Sequence, residues 1–149
     1  MTPPPSDSIS LDRLLSVASD AARQAGAVLR ESTRTGFSIE HKQIINLVTD
    51  ADHQAEQRII DVIQETFPTH SILAEERGLT ERSPSRYKWI IDPLDGTTNF
   101  AHGFPAYCVS IGVECDERGI IGVVYDPTRD ELFTAQLGQG AQLDRKSVV

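Results

Sequence analysis

The hydrophobic period of this chain changes once, at Pro68, and that change limits the fold more than any single residue does. Upstream, Leu11, Leu14, Leu15, Ala18, Ala21, Ala22, Ala25, Val28 and Leu29 recur at helical steps, which predicts a helix with one buried face and Ser10 placed to cap it. A second stripe, Ala51, Ala55, Ile59, Val62, Ile63 and Phe67, predicts another helix, with Thr49 and Asp50 as cap candidates and Pro68 as the stop. Asp52 then falls in the first turn, where the helix dipole favours a carboxylate. Between the stripes, Glu31 to Asn46 lose the period and include Gly36, so a loop or bent hairpin is expected there.

Downstream of Pro68 the apolar residues come in runs of strand length. Ser71 to Ala74 is followed by Glu75 and Glu76, and Tyr87 to Ile91 by Asp92, so two expected strand ends deliver acids. Tyr107, Val109, Ile111 and Val113 alternate along Tyr107 to Cys115, and Ile120 to Tyr125 repeats the habit after the turn residues Asp116 to Gly119. The stretch Asp126 to Asp130, DPTRD, is a further turn leading into Glu131 to Ala135, and Gly138 with Gly140 marks another. The expectation is an α+β domain, two helices packed on one face of a mostly antiparallel sheet, spanning residues 11–149 behind a disordered tail at 1–10.

Composition excludes several classes. The net charge of -8 comes from 22 acidic and 14 basic residues, and the basic ones are scattered, so no nucleic-acid partner held through its phosphates is expected. An acidic protein still handles anionic phosphate when bound divalent cations invert the local field. Cys108 and Cys115 are the only cysteines, with no His at a ligand spacing, and read as a reduced, buried pair. The opening MTPPPSDSIS has neither the apolar core nor the basic flank of a signal peptide, and no apolar run approaches a membrane span, so a soluble cytoplasmic protein is expected.

The chemistry concentrates in DPLDGTTNF. Asp92 and Asp95 stand close together, with Pro93 expected to end the strand and Gly96 to permit a tight turn, so both carboxylates can converge on one side. Magnesium takes a few hard oxygen ligands of this kind together with waters and substrate phosphate. The bend can also present the Leu94 carbonyl, and Gly96, Thr97 and Thr98 can offer amides to a phosphate. Glu75 is the natural third carboxylate, and Thr97 can hydrogen-bond a water whose proton passes toward Glu75. The rival reading is an ordinary Asp, Pro and Gly surface turn.

The blocks GFSIEHKQIINLVTDAD, SILAEERG, WIIDPLDGTTNF, FPAYCVSIGV and GVVYDPTRDELFTAQLGQGA, in that order, resemble the inositol monophosphatase family. The resemblance implies a magnesium-dependent, lithium-sensitive hydrolase and the first domain of a layered αβαβα fold. It implies Glu75, Asp92, the Leu94 carbonyl and Asp95 as metal ligands, and Leu94, Asp95, Gly96 and Thr97 as the substrate-binding stretch. Thr97 with Glu75 resembles the water-activating pair, and Asp52, the last acid of LVTDAD, an acid that supports it. The implied partner is a small phosphorylated substrate such as inositol monophosphate, with no nucleic acid or membrane, and a homodimer is allowed.

Alternatives stay open. Asp52 can instead serve as a first-turn acid, Lys42 reads as a solvated charge, and His102 as an exposed or locally bonded side chain. The family completes its metal site with a later block of the form WDxAAG, which this chain does not contain. A non-catalytic metal-binding fragment or interaction module is therefore the second expectation. Within enzymes, phosphatases of histidinol phosphate, fructose bisphosphate or nucleotide bisphosphates use similar first-domain motifs.

Overall fold

The computed structural model describes residues 9–34, 41–74, 78–80, 85–144 and 146–147. Two long helices come first, α1 (Leu11–Arg34) and α2 (His41–Thr66). They are followed by β1 (Ser71–Ala74), β2 (Gly78–Thr80), β3 (Tyr87–Asp95), the short α3 (Thr97–Ala101), β4 (Cys108–Cys115), β5 (Arg118–Asp126), β6 (Glu131–Gln136), β7 (Gly140–Leu143) and β8 (Lys146–Ser147). The strands form one sheet in the order β2-β1-β3-β4-β5-β6-β7-β8, antiparallel at every pairing except β1 with β3. The expected α+β architecture with a mostly antiparallel sheet is what the chain adopts.

α1 begins where its cap places it: the Ser10 hydroxyl accepts the Arg13 amide at 3.1 Å. Its stripe of Leu14, Ala18, Ala21, Ala22, Ala25 and Leu29 is fully buried, and the alanines let the helix lie close to α2 and to the middle strands. Gly26 shows how close. A methyl group there would overlap the Tyr125 ring of β5 and stand 3.2 Å from Pro127 Cβ.

Two expectations about the helices are corrected. Glu31 to Arg34 belong to α1, and His41 to Asn46 belong to α2, so the loop expected between Glu31 and Asn46 is helical at both ends, while 35–40 lie outside the described residues. The missing period has a physical cause: from Ile45 to Asp50 no side chain is fully buried, and Ile45 is 53% exposed. Thr49 and Asp50 do not cap the helix. They sit inside it, and the Thr49 hydroxyl donates back to the Ile45 carbonyl at 3.0 Å.

The core lies between the helix pair and one face of the sheet, with Trp89, Ile91, Val109, Ile111, Val113, Ile121, Val123 and Tyr125 turned inward. His70, after α2, is buried with them. Its ring stacks on Phe67 with centroids 4.5 Å apart and on Tyr87 at 4.8 Å, and its Nδ1 accepts the Trp89 indole N–H at 2.9 Å. The Tyr87 hydroxyl accepts the Ile9 amide at 3.1 Å, tying the start of the described chain to β3. The opposite sheet face carries the partly exposed Ile90, Val124 and Phe133.

Candidate metal and phosphate site

β3 was expected to end at Pro93, yet it continues to Asp95 with an irregularity inside it. Tyr87, Trp89, Ile91 and Pro93 point inward in strict alternation, then Leu94 is buried as well and Asp95 is exposed. The ladder to β4 gives the reason. Asp92 pairs with Ser110 and Asp95 with Cys108, so one more residue is used on β3 than on β4. That is a β-bulge, and it reverses which face every later residue takes. Proline suits the position because a bulged residue owes the ladder no N–H.

The bulge is what brings the two acids together. In a regular strand Asp92 and Asp95, an odd number of steps apart, would face opposite sides of the sheet. Here both lie on the side away from the core. The Leu94 amide donates to Asp92 Oδ1 at 3.2 Å and holds that carboxylate across the kink. Asp92 also borders a crevice of about 370 Å³ shared with Leu73, Ala74, Ile90 and Ser110.

Gly96 turns the chain from β3 into α3. Its φ of 98° lies in the region that side chains avoid, and an added Cβ would stand 2.9 Å from the Ala106 carbonyl and 3.2 Å from Tyr107 Cα. Its carbonyl accepts the Phe100 amide at 3.0 Å, which starts the helix at Thr97. Thr97 and Thr98 are exposed on this first turn. Asn99 closes the loop behind them by donating from Nδ2 to the Ala106 carbonyl at 2.9 Å, and Phe100 packs edge-on against Tyr107.

Cys108 was not anticipated at this site. Its thiol lies 3.9 Å from Asp95 Oδ2 and is pushed up to about 11, first by burial and then by the charges of Asp95, Asp92 and Asp126. The signal was present in the alternation of β4: if Val109 and Ile111 face the core, Cys108 and Ser110 face the acids. Both cysteines are free and half-buried. Asp126 belongs to its own turn. Burial pushes its carboxyl up, but hydrogen bonds from Thr128 and Arg129 outweigh that and hold it below the usual range.

The remaining expected residues are placed as follows. Asp52 is buried deep inside α2, about three turns from its start, so the first-turn explanation of this acid is overturned. Glu75 and Glu76 lie outside the described residues; Ala74 before them pairs with Ile91, next to Asp92. The Lys42 side chain is likewise outside. His102 is exposed, and its amide donates to the Thr98 carbonyl at the end of α3. Among the described residues, no three His, Cys, Asp or Glu side chains gather closely enough to enclose a metal. Two hard carboxylates on one face nevertheless fit magnesium, which needs only one or two from the protein.

These features define a class: an α+β domain with a carboxylate loop at the open face of its sheet. The chain belongs to the inositol monophosphatase family, whose sequence model matches residues 10–148. It is 42% identical over 144 residues to inositol monophosphatase 2 of Solanum lycopersicum, covering 93% of this chain and 54% of that protein. It is 46% identical over 136 residues to Nus factor SuhB of Haemophilus influenzae, covering 90% and 51%. Its fold superposes on the structure of inositol monophosphatase from Anabaena (Nostoc) sp. PCC 7120 with a TM-score of 0.79 and 43% identity, over 93% of this chain and 49% of the other. The chain thus spans about half the length of the relatives it matches. No helix among the described residues is long and apolar enough to cross a membrane.

Proposed function

We propose that the chain carries the magnesium-binding half of a phosphate monoester hydrolase whose substrate is an inositol monophosphate or a similar small phosphate ester. The observation that supports this most is the bulge in β3, which turns Asp92 and Asp95 to one face and sets Gly96 and Thr97 directly after them. In this reading Asp92, Asp95 and the Leu94 carbonyl, with Glu75, hold the metal. Magnesium, when bound there, supplies the positive charge that offsets the phosphate and favours deprotonation of the attacking water. Gly96 and Thr97 hold the substrate phosphate. The Thr97 hydroxyl orients the water and Glu75 receives its proton, while Asp52, on the buried side of α2, supports the pair.

The test is release of inorganic phosphate from inositol 1-phosphate, with and without magnesium, by this chain alone and by this chain joined to a family second half. The joined protein is expected to release phosphate only with magnesium. No release from it would remove this substrate class.

A second reading, a non-catalytic fragment or interaction module, is favoured by the partly exposed Ile90, Val124 and Phe133 on the open sheet face. The name Nus factor borne by some relatives is also not that of a phosphatase. Such a role would bring in a macromolecular partner, of which the charge-based expectation excludes only a nucleic acid held through its phosphates.

A further inference from the structure

The loop between α3 and β4 is fastened at two points by one residue. The Asn99 carbonyl accepts the Phe104 amide at 2.9 Å, and Asn99 Nδ2 donates to the Ala106 carbonyl at 2.9 Å. Inside the loop the Ala106 amide donates to the Phe104 carbonyl at 2.8 Å. Gly96 lies against the far end of this loop: a Cβ on it would stand 2.9 Å from the same Ala106 carbonyl and 3.2 Å from both Cα and Cβ of Tyr107. Tyr107 is met edge-on by Phe100, the residue after Asn99, with ring centroids 4.9 Å apart. Asn99 thus secures the wall against which Gly96 takes its φ of 98°. Glycine has need of such a wall. Without a Cβ it reaches many backbone conformations at little cost, so its own chemistry does not select one orientation for the peptide units beside it. Asparagine is otherwise unfavoured within a helix, because its amide competes for backbone groups. Here that amide reaches a backbone carbonyl seven residues on.

We infer that Asn99 is a positioning residue for phosphate. It acts through the Ala106 carbonyl, which confines Gly96, so phosphate at Gly96 and Thr97 binds more tightly with the Asn99 amide than without it. Donors that are already fixed hold an anion better than donors that must first be ordered. Magnesium affinity does not depend on Asn99, because Asp95, before Gly96, is placed by its own pairing with Cys108. The inference rests on the reading of Gly96 and Thr97 as the phosphate-holding pair.

Inorganic phosphate titrated into the isotope-labelled full chain in saturating magnesium tests it, followed by the amide resonances of Gly96 and Thr97. Asn99→Leu keeps the approximate size of the side chain, removes its amide and adds no charge. It is expected to bind phosphate about fivefold to tenfold more weakly, with magnesium affinity, measured by calorimetry, unchanged. A residue that merely held the domain together would weaken both ligands alike. Unchanged phosphate affinity in Asn99→Leu, or a loss shared equally with magnesium, overturns the inference. If the Leu variant does not fold, Asn99→Ser, one bond shorter and without the amide, carries the same expectation and the same contrary results. No phosphate-dependent shift at Gly96 and Thr97 of the unsubstituted chain removes the phosphate reading and this inference with it, whereas equal shifts and affinities in both proteins remove only the inference.

Discussion

Gly96 is constrained twice, by a positive φ and by the Ala106 carbonyl that a Cβ would meet, so Gly96→Ala is expected to cost about 1–3 kcal/mol of stability. Denaturant unfolding of the two proteins measures it. At this scale the residue types and the meeting of the two acids were readable, but not the backbone irregularity that produces it. Asp92, Asp95, Gly96 and Thr97 were legible because their residue types suit metal and phosphate. Their convergence on one side was also expected, but from a strand ending at Pro93 and a turn at Gly96; what was not legible is the bulge in the ladder to β4, without which a regular strand would separate Asp92 from Asp95. Cys108 escaped for the same kind of reason. A cysteine in an apolar run reads as packing until the face it takes is known.

Among the elements, strongly periodic segments were read well and weakly periodic ones were not. α1 and β4 to β6 each bury one face, which leaves a pattern; the start of α2, where apolar and polar residues mix without a helical period, and the short strands β2, β7 and β8 leave none. The contact between α1 and β5 makes a prediction whose sign is the test. In an exposed helix Gly→Ala gains about 1 kcal/mol, but Gly26→Ala pushes a methyl into the Tyr125 ring and is expected to lose about 1–3 kcal/mol by overpacking, measured by the thermal midpoint. His70 makes a second. Burial lowers its folded pKa to about 4 from 6.5, so the unfolded chain binds the extra proton in that window. Its contribution is therefore full above pH about 6.5 and is lost as pH falls toward 4, by about 2–3 kcal/mol. Unfolding free energies at pH 7 and 4.5 are expected to show this drop, and His70→Phe to reduce it.

For the molecule as a whole, one sheet face is packed under helices while the other presents Ile90, Val124 and Phe133. An apolar face of this kind promotes association, so the chain alone is expected to sediment as more than a monomer at high concentration, and Phe133→Lys to shift it toward monomer. The architecture follows from patterning before and after Pro68, whereas what covers the open face has no counterpart in that pattern. The central claim concerns the loop at the edge of that face, and its most direct test is magnesium binding by calorimetry to the unsubstituted chain, to Asp95→Asn and to Asp116→Asn. Asp116 pairs with Arg86 on an exposed turn at the far end of β4, so its loss is expected to leave magnesium affinity unchanged. Asp95→Asn removes a charged ligand and is expected to weaken binding about tenfold or more. Equal affinities in all three proteins would contradict the placement of the site.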